Sequence, residues 1–163
     1  MVLLLYCYLL FKTIFMQSPF RLSNEDFAYI YSKVPRFNVD LIIRTEDGGV
    51  VLVKRSIEPH IGSWHLPGGT LYKGETISDA AVRVAKAETG FDTEVIEQLG
   101  CMEFPEEKRG DLLIHTITVA VELRVLGGEL THDENAKEIG IFKTLPSPGI
   151  KEHFAFLEEK KIL

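Results

Sequence analysis

The stretch Gly69–Phe91, GTLYKGETISDAAVRVAKAETGF, constrains this chain more than any other part of it. Ser78–Thr89 is rich in alanine and predicts a helix. Gly90 stands where a helix C-terminus commonly turns left-handed. Upstream, Ser56–Leu71 carries Gly62, Trp64, Pro67, Gly68 and Gly69, which reads as a long connection. A loop therefore leads into a helix that stops abruptly. On that helix positions 84, 87 and 88 share one face, by the i, i+3, i+4 spacing. Only Glu88 of the three is a carboxylate; the others are Val84 and Ala87.

The remaining pattern supplies strands and two more helices. Ser23 before NEDFAYIYSKV predicts an N-capped helix with acidic residues in its first turn. Asn38–Thr45 and Val50–Arg55 are β-rich runs flanking the hairpin signal Glu46-Asp47-Gly48-Gly49. Strands are expected over Thr93–Phe104 and Leu112–Val125, separated by a charged turn, PEEKRGD, with a short strand near Glu138–Phe142 and a helix over Ile150–Lys160. Strands and helices mix without regular βαβ alternation, so the fold class is α+β with a mixed sheet.

A length of 163 residues fits one domain, expected over 22–163. Residues 1–21 form an apolar N-terminal extension beginning MVLLLYCYLLFKTIFM. Its uncharged run ends at Lys12, short of the roughly 20 apolar residues that span a bilayer. It also lacks the basic start and cleavage site of a secretory signal. Two readings stay open, an extension upstream of a natural start at Met16 or an apolar segment docking on the fold or a partner, with a membrane anchor ranked behind them.

The net charge of −6, with no basic stripe, argues against a nucleic-acid partner. It leaves room for a small anionic substrate, because a bound cation reverses the local charge. Cys7 and Cys101 make neither a disulfide framework nor a metal motif, which suits a reducing cytoplasm. Cys101 is expected to be buried in its strand.

Gly69, Glu75, Arg83, Glu88, Gly90 and Phe91 fall in register with the Nudix box, G-x5-E-x7-R-E-U-x-E-E-x-G-U, and Trp64–Gly69 resembles its usual lead-in. The chain thus resembles the Nudix hydrolases. That likeness implies an α/β/α sandwich, a mixed sheet packed between helices, and a Mg²⁺-dependent reaction, with Mn²⁺ as an alternative ion. It also implies a small-molecule nucleotide substrate and is compatible with a homodimer. The box departs from its pattern at Val84 and Ala87. The GDP-mannose mannosyl hydrolase branch lacks the same glutamates, and RVAKAETG over residues 83–90 resembles its helix. The opening helix around Leu22–Ala28, Asp40, Lys54-Arg55 and His115 extend the likeness.

By that resemblance Glu88, Gly69 and Asn135 are candidate metal ligands, and Asp40, Arg55 and His115 candidate substrate contacts. Glu75 and Arg83, from the catalytic box, are read as an ion pair bracing the loop and helix. The branch's catalytic histidine corresponds to Ala136, so the base is sought in His132, Asp133, Glu134 or Glu138. An arginine of the branch is replaced by Thr70. Trp64 and Phe104 are read as core residues, with stacking on a base or sugar as the alternative. The expected reaction is water attack at C1 of a nucleotide sugar, suited to one metal. The alternatives are P–O cleavage of ADP-ribose or a nucleoside triphosphate, and a degenerate domain that binds a nucleotide without turning it over.

Overall fold

The computed structural model describes residues 22–131 and 136–163; the extension over 1–21, and His132, Asp133, Glu134 and Asn135, lie outside them. In chain order the elements are α1 (Asn24–Tyr31), β1 (Arg36–Arg44), β2 (Val50–Arg55), β3 (Trp64–His65), β4 (Gly68–Thr70), α2 (Ile77–Thr89), β5 (Phe91–Arg109), β6 (Leu112–Gly128), β7 (Ala136–Phe142) and α3 (Lys151–Glu159). Ser23 caps α1 as expected, its side chain accepting from Asp26 N–H.

β1 is the hub of the sheet. It runs parallel to β6 along its whole length and antiparallel to β4, while its end meets β2 through the Glu46–Gly49 turn. β2 in turn carries β3 and β7, and β6 carries β5. Alternation along β1 divides its side chains between two faces. Val39, Leu41 and Ile43 join Ala80, Ala81, Val84 and Ala85 of α2 in one core. Ile42 joins Trp64, Leu66, Phe156 and Leu157 in the other, under α3. The sheet is therefore mixed and sandwiched between α2 and α3, the architecture expected of the sequence.

Three local expectations change. The connection over 56–71 contains the short strands β3 and β4. Cys101 is exposed rather than buried. The charged segment PEEKRGD is mostly strand: β5 continues to Arg109 and turns to β6 through Gly110-Asp111, with Gly110 in the left-handed region at φ 58°. Alternate charged side chains there turn inward and pair, which stabilises an extended conformation that their polarity alone would not suggest. A bulge adds one residue to β5 between Phe104, opposite Thr116, and Glu107, opposite Ile114.

Leu157 is fully buried in the core beneath α3. Leu157→Ala is expected to lower unfolding free energy by about 2–4 kcal/mol, read from the urea midpoint. A loss below about 1 kcal/mol would mean that α3 contributes little to this core.

Candidate active site

The loop before α2 is held by a bidentate clasp. Arg83 donates from Nε to Glu75 Oε1 at 2.6 Å and from Nη2 to Glu75 Oε2 at 2.8 Å. Arg83 also donates to the Thr70 carbonyl at 3.0 Å and lies over the Tyr72 ring, while Tyr72 N–H donates to Glu75. Both side chains are thus engaged in bracing, and neither lines the cleft described below. Thr76 and Asp79 form a capping box, so α2 starts at Ile77, slightly earlier than its alanine content suggests. At the other end Gly90 is required twice: its φ is 75°, and a Cβ there would stand 2.4 Å from the Glu129 carbonyl oxygen.

β4 then lies against β1, with Gly69 opposite Val39 and Gly68 opposite Asp40. Val84 packs directly over Gly69, where a Cβ would meet it at 2.9 Å. Position 84 therefore belongs to the core, Ala87 is exposed, and Glu88 is the member of that helix face that reaches the cleft. Gly68 N–H donates to Glu88 Oε2 at 3.0 Å.

The cleft has a volume of about 290 Å³ and opens on the α3 side of the sheet. Arg36, Asn38 and Asp40 of β1 alternate along its floor, beside Thr116 and Thr118 of β6. Arg55, His60 and His65 come from β2 and the following connection; Phe104, Glu107 and Arg109 come from β5, and His153 from α3. The bulge in β5 brings Phe104 and Glu107, three residues apart, into the same cleft.

Charge is arranged unevenly here. Glu107 receives Arg36 at 3.1 Å, Arg109 at 2.9 Å and the Thr116 hydroxyl at 2.6 Å. Burial works to raise the Glu107 carboxyl, but Arg36 and Arg109 hold it below its ordinary range. Burial and then Arg109 push Arg36 down to about 10. Arg55 is lowered first by burial, then by Arg109, and its buried Nε has no hydrogen-bond partner. A buried donor left in that state costs free energy unless an acceptor arrives. Asp40 is pushed up to about 7 by burial, against the opposing pull of Thr118, Arg36 and Arg55.

Two histidines are fixed by the backbone of one residue, Leu66. Leu66 N–H donates to His153 Nδ1 at 3.0 Å, and His65 Nδ1 lies 2.6 Å from the Leu66 carbonyl. A carbonyl only accepts, so His65 carries its proton on Nδ1, and His153 carries its proton on Nε2. Burial keeps both neutral, with His65 pushed down to about 4 and His153 well below its ordinary value.

Of the residues singled out in the sequence, Asp40, Arg55, Gly69 and Glu88 converge on the cleft. His115 does not; it alternates with Thr116, and its Nε2 is buried without a partner. Glu138 lies across from Lys54, to which it is ion-paired at 2.9 Å, and is not part of the cleft lining. His132 and Asn135 fall outside the described residues. Trp64 packs edge-on against Phe142 in the core, whereas Phe104 lines the cleft. Arg36, Glu107, Arg109, His65 and His153 carried no signal in sequence, because each belongs to a different element and no short motif joins them.

A divalent cation needs several oxygen donors around one point. Among the described residues no three His, Cys, Asp or Glu side chains gather around one point. Glu88 and Asp40 both stand against Gly68 of β4, and Glu88 accepts its N–H. That set fits a single hard ion completed by water and substrate phosphates, and does not fit a metal cluster.

Residues 34–148 match the NUDIX domain family. The chain is 35% identical over 126 residues to the low-salt glycan biosynthesis protein Agl8 of Haloferax volcanii, covering 76% of this chain and 80% of that protein. It is 39% identical over 129 residues to an ADP-ribose pyrophosphatase of Methanocaldococcus jannaschii, covering 78% and 71% respectively. In structure it is similar to a MutT NUDIX hydrolase from Burkholderia pseudomallei, with TM-score 0.65, 25% identity, and coverage of 77% of this chain and 97% of that one.

The raised Asp40 has a consequence for stability with a definite sign. Between the ordinary carboxyl range and about 7 the folded protein keeps a proton that the unfolded chain releases. Stability from this group is therefore full at low pH and is lost as pH rises through 7. Relative to the parent, Asp40→Asn is expected to gain about 4 kcal/mol between pH 4 and pH 8, read from urea midpoints. A difference independent of pH would contradict the burial assigned to Asp40.

Proposed function

This chain belongs to the NUDIX domain family and is a Nudix hydrolase, and we propose that its substrate is a nucleoside diphosphate joined to a sugar, opened by water attack at the sugar C1. The observation that carries this reading is the reduced helix face, where Val84 is core, Ala87 is exposed and Glu88 alone faces the cleft. Attack on phosphorus benefits from several cations that generate hydroxide and neutralise a crowded centre. Attack on carbon asks less, because the diphosphate only leaves.

Glu88 and the Gly69 carbonyl would hold one divalent cation, Mg²⁺ or Mn²⁺, with Asn135 a further candidate ligand. When bound, the ion supplies positive charge to the diphosphate. Arg55 meets the same group from β2, its unpartnered Nε providing a donor that only an incoming acceptor satisfies. Arg83 and Glu75 act at one remove by fixing the loop on which Gly69 sits. Phe104 offers an apolar wall to a base or sugar ring.

A second reading, P–O cleavage of ADP-ribose, is favoured by the similarity to the Methanocaldococcus pyrophosphatase. Products formed in ¹⁸O-labelled water with Mg²⁺ separate the two. From GDP-mannose, labelled mannose with unlabelled GDP is expected; label in a nucleoside monophosphate or sugar phosphate, from either GDP-mannose or ADP-ribose, would overturn attack at carbon.

The residues are tested separately. Arg55→Met is expected to lower kcat about 10²-fold by removing leaving-group stabilisation. Glu88→Gln is expected to raise the Mg²⁺ concentration needed for half-maximal rate by about tenfold or more. A Glu88→Gln protein equal to the parent in binding and turnover would remove Glu88 from the metal site.

A further inference from the structure

Asp40, a candidate substrate contact by sequence, lines the cleft and has no part in the hydrolytic step as described so far. It is only 6% exposed, at the floor of the cleft, where its Oδ2 lies 3.5 Å from His153 Nε2. His153 is 7% exposed and cannot turn freely: Leu66 N–H holds Nδ1 from one side, and the rings of Phe104 and His65 lie with centroids 5.6 and 5.9 Å away. Its acceptor nitrogen is therefore spent on the backbone, and the proton-bearing Nε2 is the nitrogen on the Asp40 side, 3.5 Å from Oδ2. A histidine so fastened cannot remove a proton from water. It can hold a carboxylate that does.

Among the described residues the other candidate carboxylates are committed. Glu107 already accepts from Arg36, Arg109 and Thr116. Glu138 pairs with Lys54 outside the cleft lining. Glu88 accepts from Gly68 N–H, and Asp40 presses on that same glycine from the other strand, since a Cβ at Gly68 would stand 2.2 Å from Asp40 Oδ1. Gly68 thus lets two carboxylates approach it, one assigned to the cation and one unassigned.

We infer that Asp40 is the general base for the attacking water and that His153 is the positioning residue that aims it, an assignment resting on the hydrolytic reading above. In the step, Asp40 Oδ takes a proton from water as the water oxygen's lone pair bonds to the electrophilic centre. The bond from that centre to the bridging oxygen breaks, and its electron pair departs with the nucleotide, facing Arg55. Asp40 afterwards returns its proton to solvent. The groups that face Asp40 are Arg36 on its own strand, Thr118 on β6, Arg55 on β2, Glu107 on β5 and His153 on α3. Burial already brings Asp40 to about 7, near the pH at which a base serves best.

The test uses the full chain with Mg²⁺ and whichever of GDP-mannose and ADP-ribose the parent hydrolyses, measuring kcat by initial rates and Kd by calorimetry. Asp40→Asn is expected to lose about 10²–10⁴-fold in kcat with Kd within about threefold. His153→Asn keeps an acceptor for Leu66 N–H but is too short to reach Asp40, and should lose about tenfold in kcat with KM unchanged. His153→Gln, whose amide extends to the place of Nε2, should recover part of that loss. A weaker Kd with unchanged kcat in Asp40→Asn would make Asp40 a holder of substrate hydroxyls and overturn the inference. So would equal rates in the two His153 variants. An arm independent of turnover follows the His153 Nε2 proton by ¹⁵N-edited NMR, which should shift in Asp40→Asn; an unchanged resonance would overturn the pair itself. A parent that hydrolyses neither substrate would overturn the functional reading and the base together, while that resonance still reports on the pair.

Discussion

The pairing of Gly68–Thr70 with Asn38–Asp40 is the contact on which the cleft depends. β1 is fixed by burial on both faces and by its parallel partner β6, so whatever lies against its free edge inherits that rigidity. The segment that does so is the one leading into α2. Two glycines make the approach close enough for Val84 to pack over one of them and Asp40 against the other. The end of α2, with Glu88, is thereby set beside the floor of the cleft. The Glu75–Arg83 clasp keeps the intervening loop from relaxing this arrangement.

Electrostatics in the cleft opposes the charge of the whole. The chain carries a net charge of −6, yet Arg36, Arg55 and Arg109 gather at one place. Glu107 offsets the mutual repulsion of two of them and is held ionised by doing so. Such a pocket attracts a polyanion locally while the protein as a whole repels one, which favours small substrates that fit the cleft over long charged polymers.

Much of this was legible in sequence for a physical reason. Gly69, Glu75, Arg83, Glu88 and Gly90 lie within one short stretch, and each obeys a local rule: a close approach, a clasp, a cap. The strands of the sheet were legible from hydrophobic patterning, as was the mixed α+β character. What could not be read was the polar stripe Arg36-Asn38-Asp40. Its significance depends on α3 leaving that part of the sheet uncovered, which is a tertiary fact. His153 looked like any helix residue until its ring met Leu66 and Asp40. The run PEEKRGD looked like a turn because its charges suggested solvent, whereas two of them, Glu107 and Arg109, pair along one face of β5 in the cleft lining. His115 alternates in phase with Val119 and Val121, which belong to the core under α2, and the cleft lies on the other face.

The single extra residue in β5 restricts how this ribbon can change length over generations. Phe104 and Glu107 share a face only because one residue between them is skipped by the pleat. Loss or gain of one residue near Pro105 would turn Glu107 and Arg109 to the opposite face and leave Arg36 without its carboxylate. Changes of two residues at the Gly110-Asp111 tip would preserve every facing. Descendants of this gene should therefore tolerate hairpins that grow or shrink in even steps, with odd steps surviving only where the skipped residue moves as well.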